Sequence, residues 1–148
     1  MATVNVYLTF DGQCEAAFLF YQSVFGGEFN YMGKFNEMPP MGDDCQPLSE
    51  EDGNRVMHVT LPISKETCLM GSDIVATWTT DFQMGNNYSV SINTESKEEA
   101  NRLFEGLSAG GQIKMPLEDT FWGAYFGMFT DKYGIHWMVN FDEVPQNQ

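Results

Sequence analysis

Positive charge is scarce in this chain: 7 Lys and Arg stand against 21 Asp and Glu, a formal net charge of −14. Neutralising phosphates needs clustered cations, so nucleic acid is a poor partner, and anionic membrane surfaces are disfavoured on the same ground. The acidity is read as serving solubility. Apolar runs are short, and none approaches the roughly 20 residues of a membrane span. The opening MATVNVYLTF has no basic leader and reads at once as a strand, not as a signal peptide. Cysteine is sparse. Cys14, Cys45 and Cys68 are odd in number and widely spaced, with no CxxC pair, which disfavours zinc and a disulfide framework. The expected compartment is a reducing cytoplasm.

What is present suffices for a core: 43% of 148 residues are hydrophobic and 14% aromatic. That length allows one domain or two small halves sharing a core. The chain repeats itself. Glu15, Ala16, Leu19, Phe20, Gly26 and Gly27 recur as Glu99, Ala100, Leu103, Phe104, Gly110 and Gly111, each 99 − 15 = 84 positions later. The alternating VNVYLTF predicts a strand over 4–10, with Val4, Val6, Leu8 and Phe10 on one face and Asn5, Tyr7 and Thr9 on the other. Asp11-Gly12 supplies a turn, and a helix over 14–25 is stopped by Gly26-Gly27. Strands are expected near 28–35, 55–63 and 67–73.

The second half repeats this order. A strand over 88–93 precedes a helix that opens with Ser96 and Glu99 at capping-box spacing. Ala100, Leu103, Phe104 and Leu107 form its apolar face. The offset places the matching face of the first helix at Ala16, Leu19, Phe20 and Ser23. Strands are expected near 112–115, 124–130 and 135–141, with a hairpin turn at 131–134. Each half is thus β–α–β–β–β, about 1–78 and 79–148 in a single domain. The fold class is α+β, a cupped mixed sheet in which two modules close a cavity with their helix-free faces. The first half also carries an acidic, proline-containing segment over 36–54. No regular element is expected there, and it is read either as a surface excursion or as a lid.

Four stretches carry a family likeness: YLTFDGQCEAAFLFYQSVFGG, FNEMPP, MGSDI and DTFWGAYFGMFTDKYGIHWMVN. Together they resemble the PhnB-like branch of the vicinal oxygen chelate superfamily, which includes glyoxalases, bleomycin-resistance proteins and dioxygenases. The resemblance implies a homodimer and, in metal-dependent members, one His, Gln or Glu from each of four strands around a divalent ion. The branch is sometimes labelled a demethylubiquinone methyltransferase, but no glycine-rich strand-to-helix turn suited to a methyl-donor nucleotide is present.

Aligned with that pattern, the four ligand places hold Asn5, Met70, Asn87 and Met138. Two amides and two thioethers suit a hard or borderline dication poorly, so no metal and no cofactor are expected. A one-residue slip would bring Asp73 or Trp137 to those columns instead. His58 is read either as a packed histidine or, facing the cavity with Thr60, as a general base. His136, sharing a face with Met138, is the other candidate base. Trp122 and Phe121 are candidate ligand walls. Glu118-Asp119 is read as a solvated turn or an acid/base pair. Cys14 and Cys68 are expected to be buried and inert. The expected function is binding of a small molecule through Asn5, Tyr7, His58, Met70, Asn87, Trp122, His136 and Met138. A metal-dependent lyase or dioxygenase and a sequestering protein of the resistance type are the alternatives.

Overall fold

The computed structural model describes residues 2–37, 48–76 and 78–143. The chain divides into two compact units, Met1–Gln83 and Met84–Gln148. Each is α+β and carries its own four-stranded mixed sheet. The first unit contains β1 (Val6–Phe10), α1 (Cys14–Phe25), β2 (Tyr31–Lys34), α2 (Glu50–Gly53), β3 (Val56–Pro62) and β4 (Cys68–Asp73). Its strand order is β1-β4-β3-β2. The second contains β5 (Val90–Asn93), α3 (Lys97–Ser108), β6 (Gln112–Asp119), β7 (Ala124–Thr130) and β8 (His136–Asp142), in the order β5-β8-β7-β6. In each, the first and last strands pair in parallel and the other pairs are antiparallel. A parallel pair needs a long crossover between its strands, and the helix of each unit lies on that path.

Alternation decides what each sheet buries. On β1 Leu8 and Phe10 are buried while Tyr7 and Thr9 are exposed. Val4, expected on the buried face, lies ahead of the strand and is 94% exposed, because no neighbouring strand reaches it. On β8 Trp137 and Val139 are buried. Asp73 and Trp137 both face inward, so the one-residue slip does not occur. Helix and sheet meet closely at two glycines. A Cβ at Gly71 would stand 2.7 Å from the Phe18 ring, and one at Gly127 would stand 2.7 Å from the Phe104 ring. In both units a helix aromatic seats on a strand that has no side chain beneath it.

Helix α3 buries Ala100, Leu103, Phe104 and Leu107, the expected face. Helix α1 does not follow the 84-residue offset: it buries Cys14, Ala17, Phe18 and Tyr21, while Leu19 is 51% exposed. The matching faces are 100 − 14 = 86 residues apart: each helix follows its strand after three residues, but α1 buries its first residue, Cys14, whereas α3 starts three residues ahead of its first buried one, Ala100. The Ser96 cap forms in a modified way. Its hydroxyl accepts the Glu99 N–H at 3.0 Å, but the Glu99 carboxylate accepts from Glu95, one residue ahead of the cap.

The segment over 36–54 is not wholly irregular. A 3-10 turn spans Phe35–Glu37, and Ser49 caps the short α2 by accepting the Asp52 N–H at 3.1 Å. The lid reading concerns mainly residues 38–47, which lie outside the described residues, as does Cys45.

Each unit also buries a carboxylate. Asp73 accepts from the backbone N–H groups of Gly12 and Cys14 at 2.9 Å and of Val56 at 3.0 Å. It thereby ties the β1–α1 turn to the start of β3. Asp131 accepts from the backbone N–H groups of Tyr133 and Ile135 and, at 2.8 Å, from Trp137 Nε1. Replacing Asp73 by Ala strands three N–H donors, and an unmet buried donor costs about 1–3 kcal/mol. Urea denaturation of Asp73→Ala is therefore expected to show a loss of roughly 3 kcal/mol or more, with Asp73→Asn intermediate because one acceptor is kept. A loss within the scatter of surface substitutions would contradict this account.

Candidate functional site

The face of each sheet opposite its helix carries the side chains with chemistry to offer. In the first unit, register places Tyr31, Thr60, Met70 and Tyr7 in one row across β2, β3, β4 and β1. His58 stands beside Gly33 in the adjacent row. Its ring lies between two tyrosines, 5.8 Å from Tyr7 and 6.1 Å from Tyr31, centroid to centroid. Both tyrosines are about half exposed. A β-bulge at Met57 lets Val56 and Val59 face the core while His58 and Thr60 face away, with His58 Nε2 3.0 Å from Thr60 Oγ1. Tyr31, which the sequence reading did not single out, lays its ring over Gly33, where any Cβ would collide with it. Asn5 precedes β1, and its Oδ1 accepts a weak bond from the Cys68 thiol at 3.7 Å.

In the second unit the corresponding row runs Met115, Met128, Met138 and Ser91. Three thioethers thus stand side by side on β6, β7 and β8. The next row pairs Thr130 with His136. His136 Nε2 lies 2.9 Å from the Gly85 carbonyl, which can only accept, so Nε2 carries a hydrogen. Nδ1 faces Thr130 Oγ1 at 2.9 Å and Lys114 Nζ at 3.4 Å, and since an ammonium can only donate, Nδ1 is the acceptor. Both ring nitrogens are engaged, which counts against His136 as a ready base. No hydrogen bond or ion pair joins either histidine to a carboxylate among the described residues.

The register corrects one alignment. Tyr7 stands beside Met70 as Ser91 stands beside Met138, an offset of 91 − 7 = 84. The counterpart of Asn5 is therefore Ser89. Asn87 lies exposed ahead of β5, outside the sheet. Trp122 is 54% exposed in the β6–β7 turn, with its ring centroid 5.0 Å from that of Phe121 and 6.1 Å from that of Phe126. Phe121, at 97% exposure, is displayed to solvent and forms no enclosed wall. Asp119 is no partner of Glu118. It shares Lys97 with Glu143, and hydrogen bonding with Glu143 and Lys97 holds its carboxyl below the usual range.

The first face presents one imidazole with hydroxyls, one thioether and the Cys68 thiol; the second presents one imidazole with three thioethers and, one row beyond them, Asn140 and Glu118, whereas divalent cations prefer several carboxylates, imidazoles or thiolates together. No group of three or more His, Cys, Asp or Glu able to hold a metal occurs among the described residues.

The two described cysteines differ. Cys14 is fully buried, and burial first, then the nearby Asp73 and Glu15 charges, pushes its thiol far above the ordinary range. Cys68, expected to be buried, is half-buried at the start of β4, in alternation with Met70 and Ser72. In the native protein, iodoacetamide at pH 8 is expected to label Cys68 and leave Cys14 unmodified, because a raised pKa keeps the thiol protonated there. Peptide mapping reads the result, and labelling of Cys14 before unfolding would contradict it. Gly33→Ala is expected to displace the half-exposed Tyr31 ring from His58 with little loss of stability, because the ring can swing into solvent. Loss of the Tyr31–His58 cross-peak in NMR would register the displacement.

Comparison with known proteins gives this arrangement a context. The family model described as 3-demethylubiquinone-9 3-methyltransferase matches residues 2–140. Protein YjdN of Escherichia coli (strain K12) is 31% identical over 141 residues, covering 93% of each chain. The crystal structure of protein PA1353 from Pseudomonas aeruginosa superposes with a TM-score of 0.81 at 37% identity, covering 96% of this chain and 98% of that one. A protein from Bacillus cereus described as a putative 3-demethylubiquinone-9 3-methyltransferase, PhnB protein, gives a TM-score of 0.70 at 25% identity, covering 95% and 99%. Solved glyoxalase-related and glyoxalase/bleomycin-resistance/dioxygenase proteins at 15–18% identity share the fold.

Proposed function

This chain belongs to the PhnB-like 3-demethylubiquinone-9 3-methyltransferase family of the vicinal oxygen chelate superfamily, and on that footing we propose that it binds a small molecule on a helix-free sheet face. The observation that carries this reading is the content of those faces. Half-exposed tyrosines flank a histidine in one unit, and a row of thioethers borders a histidine in the other. Large aromatics and methionines left partly in water are suited to cover a ligand's apolar surface, and the adjoining hydroxyls and imidazoles to orient its polar groups.

Methyl transfer from a nucleotide donor, which the family description suggests, finds little support in the local chemistry. A helix N-terminus holds an anion by its free N–H groups. At α1, the N–H groups of Gly12 and Cys14 already bind Asp73. At α3, the Glu99 N–H binds the Ser96 hydroxyl. Metal-assisted lyase or dioxygenase chemistry meets an unsuitable donor set on either face. Binding without turnover, as in a sequestering protein, is favoured by His136, whose two nitrogens are already occupied.

A thermal-shift screen of small organic molecules, run with and without EDTA, tests the proposal. At a ligand concentration of about 100 times Kd, mass action adds about 2.7 kcal/mol. For a chain of this size that raises Tm by roughly 5–10 °C. The rise is expected to be the same in EDTA, to shrink in Tyr7→Ala or Met138→Ser, and to leave the ligand chemically unchanged. Stabilisation that requires an added metal, or a ligand recovered as product, would overturn the reading.

A further inference from the structure

Seven basic residues serve a chain of net charge −14. Lys34, Arg55 and Lys97 each face a carboxylate: Glu15, then Asp11 and Asp52, then Asp119 and Glu143. Lys114 does otherwise. It projects from β6 across the helix-free face of the second sheet, and its ammonium stands 3.4 Å from the neutral Nδ1 of His136. Among the described residues it forms no ion pair with a carboxylate. A cation placed on a sheet face against a neutral ring, amid so many carboxylates, lacks the counter-charge that its surroundings could readily supply.

Its neighbours define what would complete it. The single lone pair on His136 Nδ1 is better met by Thr130 Oγ1 at 2.9 Å than by Lys114, so the ammonium keeps hydrogens to donate elsewhere. Beside this polar row lies the Met115–Met128–Met138 row, ending at Ser91. Residues two apart along a strand are about 6.8 Å apart. A compact negative group at Lys114 therefore has an apolar body's length of thioether surface directly alongside. A single ammonium without an arginine fork suits a monoanion better than a phosphate or phosphonate dianion.

We propose that the second unit's sheet face is a binding site for a small apolar carboxylate, with Lys114 receiving the carboxylate and Met115, Met128 and Met138 covering the hydrocarbon. The proposal rests on the small-molecule-binding reading above and names the ligand class for it. Thr130 orients His136 and thereby frees the ammonium. The Gly85 carbonyl, bonded to the other ring nitrogen, fixes that orientation. Lys114 and Thr130 are thus specificity-determining and positioning residues, which the sequence reading did not select.

Isothermal titration with 3-phenylpropanoate, its uncharged amide and acetate tests this in the full chain. The acid is expected to bind at least about tenfold more tightly than the amide, the usual scale of one charge-assisted hydrogen bond. Acetate, lacking the apolar body, is expected to bind more weakly than either. Lys114→Gln should abolish the preference for acid over amide, and Lys114→Arg should keep most of it. Met138→Ser should weaken acid and amide alike. Equal affinity for acid and amide in the parent protein, or a preference that survives Lys114→Gln, would overturn the assignment while leaving small-molecule binding intact. Binding of neither acid nor amide would overturn the assignment too. Hits in the wider screen then decide the broader reading separately. Lys114 is exposed, so unchanged circular dichroism and Tm in both Lys114 variants would separate loss of recognition from loss of fold.

Discussion

The first unit depends on a buried carboxylate whose hydrogen bonds are all made by groups that would otherwise be stranded. Asp73 ends β4, yet it receives N–H groups from the β1–α1 turn and from the first residue of β3. Three chain segments far apart in sequence are thereby held at one point. A charge taken out of water is costly unless it is fully hydrogen-bonded, and here the donors are backbone groups at a helix start and a strand start. The same contact occupies the Gly12 and Cys14 N–H groups at the start of α1. Arg55 reinforces this corner from outside, bonding both the Asp11 carboxylate and the Ile74 carbonyl at 2.9 Å. In the second unit Asp131 plays a comparable part at a different place, fixing the β7–β8 hairpin and the indole of Trp137.

Once those corners are fixed, each helix occupies one side of its sheet and the other side is left to function. Phe18 over Gly71 and Phe104 over Gly127 bring helix and strand close enough to exclude water. What remains on the far side is not random polarity. One sheet displays two tyrosines about a histidine, and the other displays three methionines beside a histidine and a lysine. The two units thus share a topology and differ in chemistry. Duplication explains the scaffold, and divergence of the face residues explains why the two faces need not treat a ligand alike.

Much of this was legible before any coordinates. The alternation of VNVYLTF and of IHWMVN placed Tyr7, Met138 and His136 on the helix-free faces, and the apolar spacing of α3 gave its buried residues directly. The face of α1 was not recovered. The strongest sequence matches lie 84 positions apart, and that offset holds for the strands but not for the helices, whose buried faces lie 100 − 14 = 86 apart. Two residues amount to about 200° of helical rotation, so an offset of 84 marks the opposite side of α1. Asn87 is not the register counterpart of Asn5, which is Ser89. Strand register is fixed by hydrogen bonding with the neighbouring strand, which the sequence pattern does not record.

The amino-acid sequence by itself determined the kind and order of the elements, their duplication, and which strand residues turn from the core. Those follow from local periodicity and from short-range turn and capping chemistry. Only the tertiary structure decided that Tyr31 closes on His58, that Lys114 reaches His136, and that Met115, Met128 and Met138 form one row. Each of these joins residues on different strands, and their meeting depends on strand order and on bulges at Met57 and in β6. No local pattern encodes which strands become neighbours, because that choice belongs to the energy of the whole sheet.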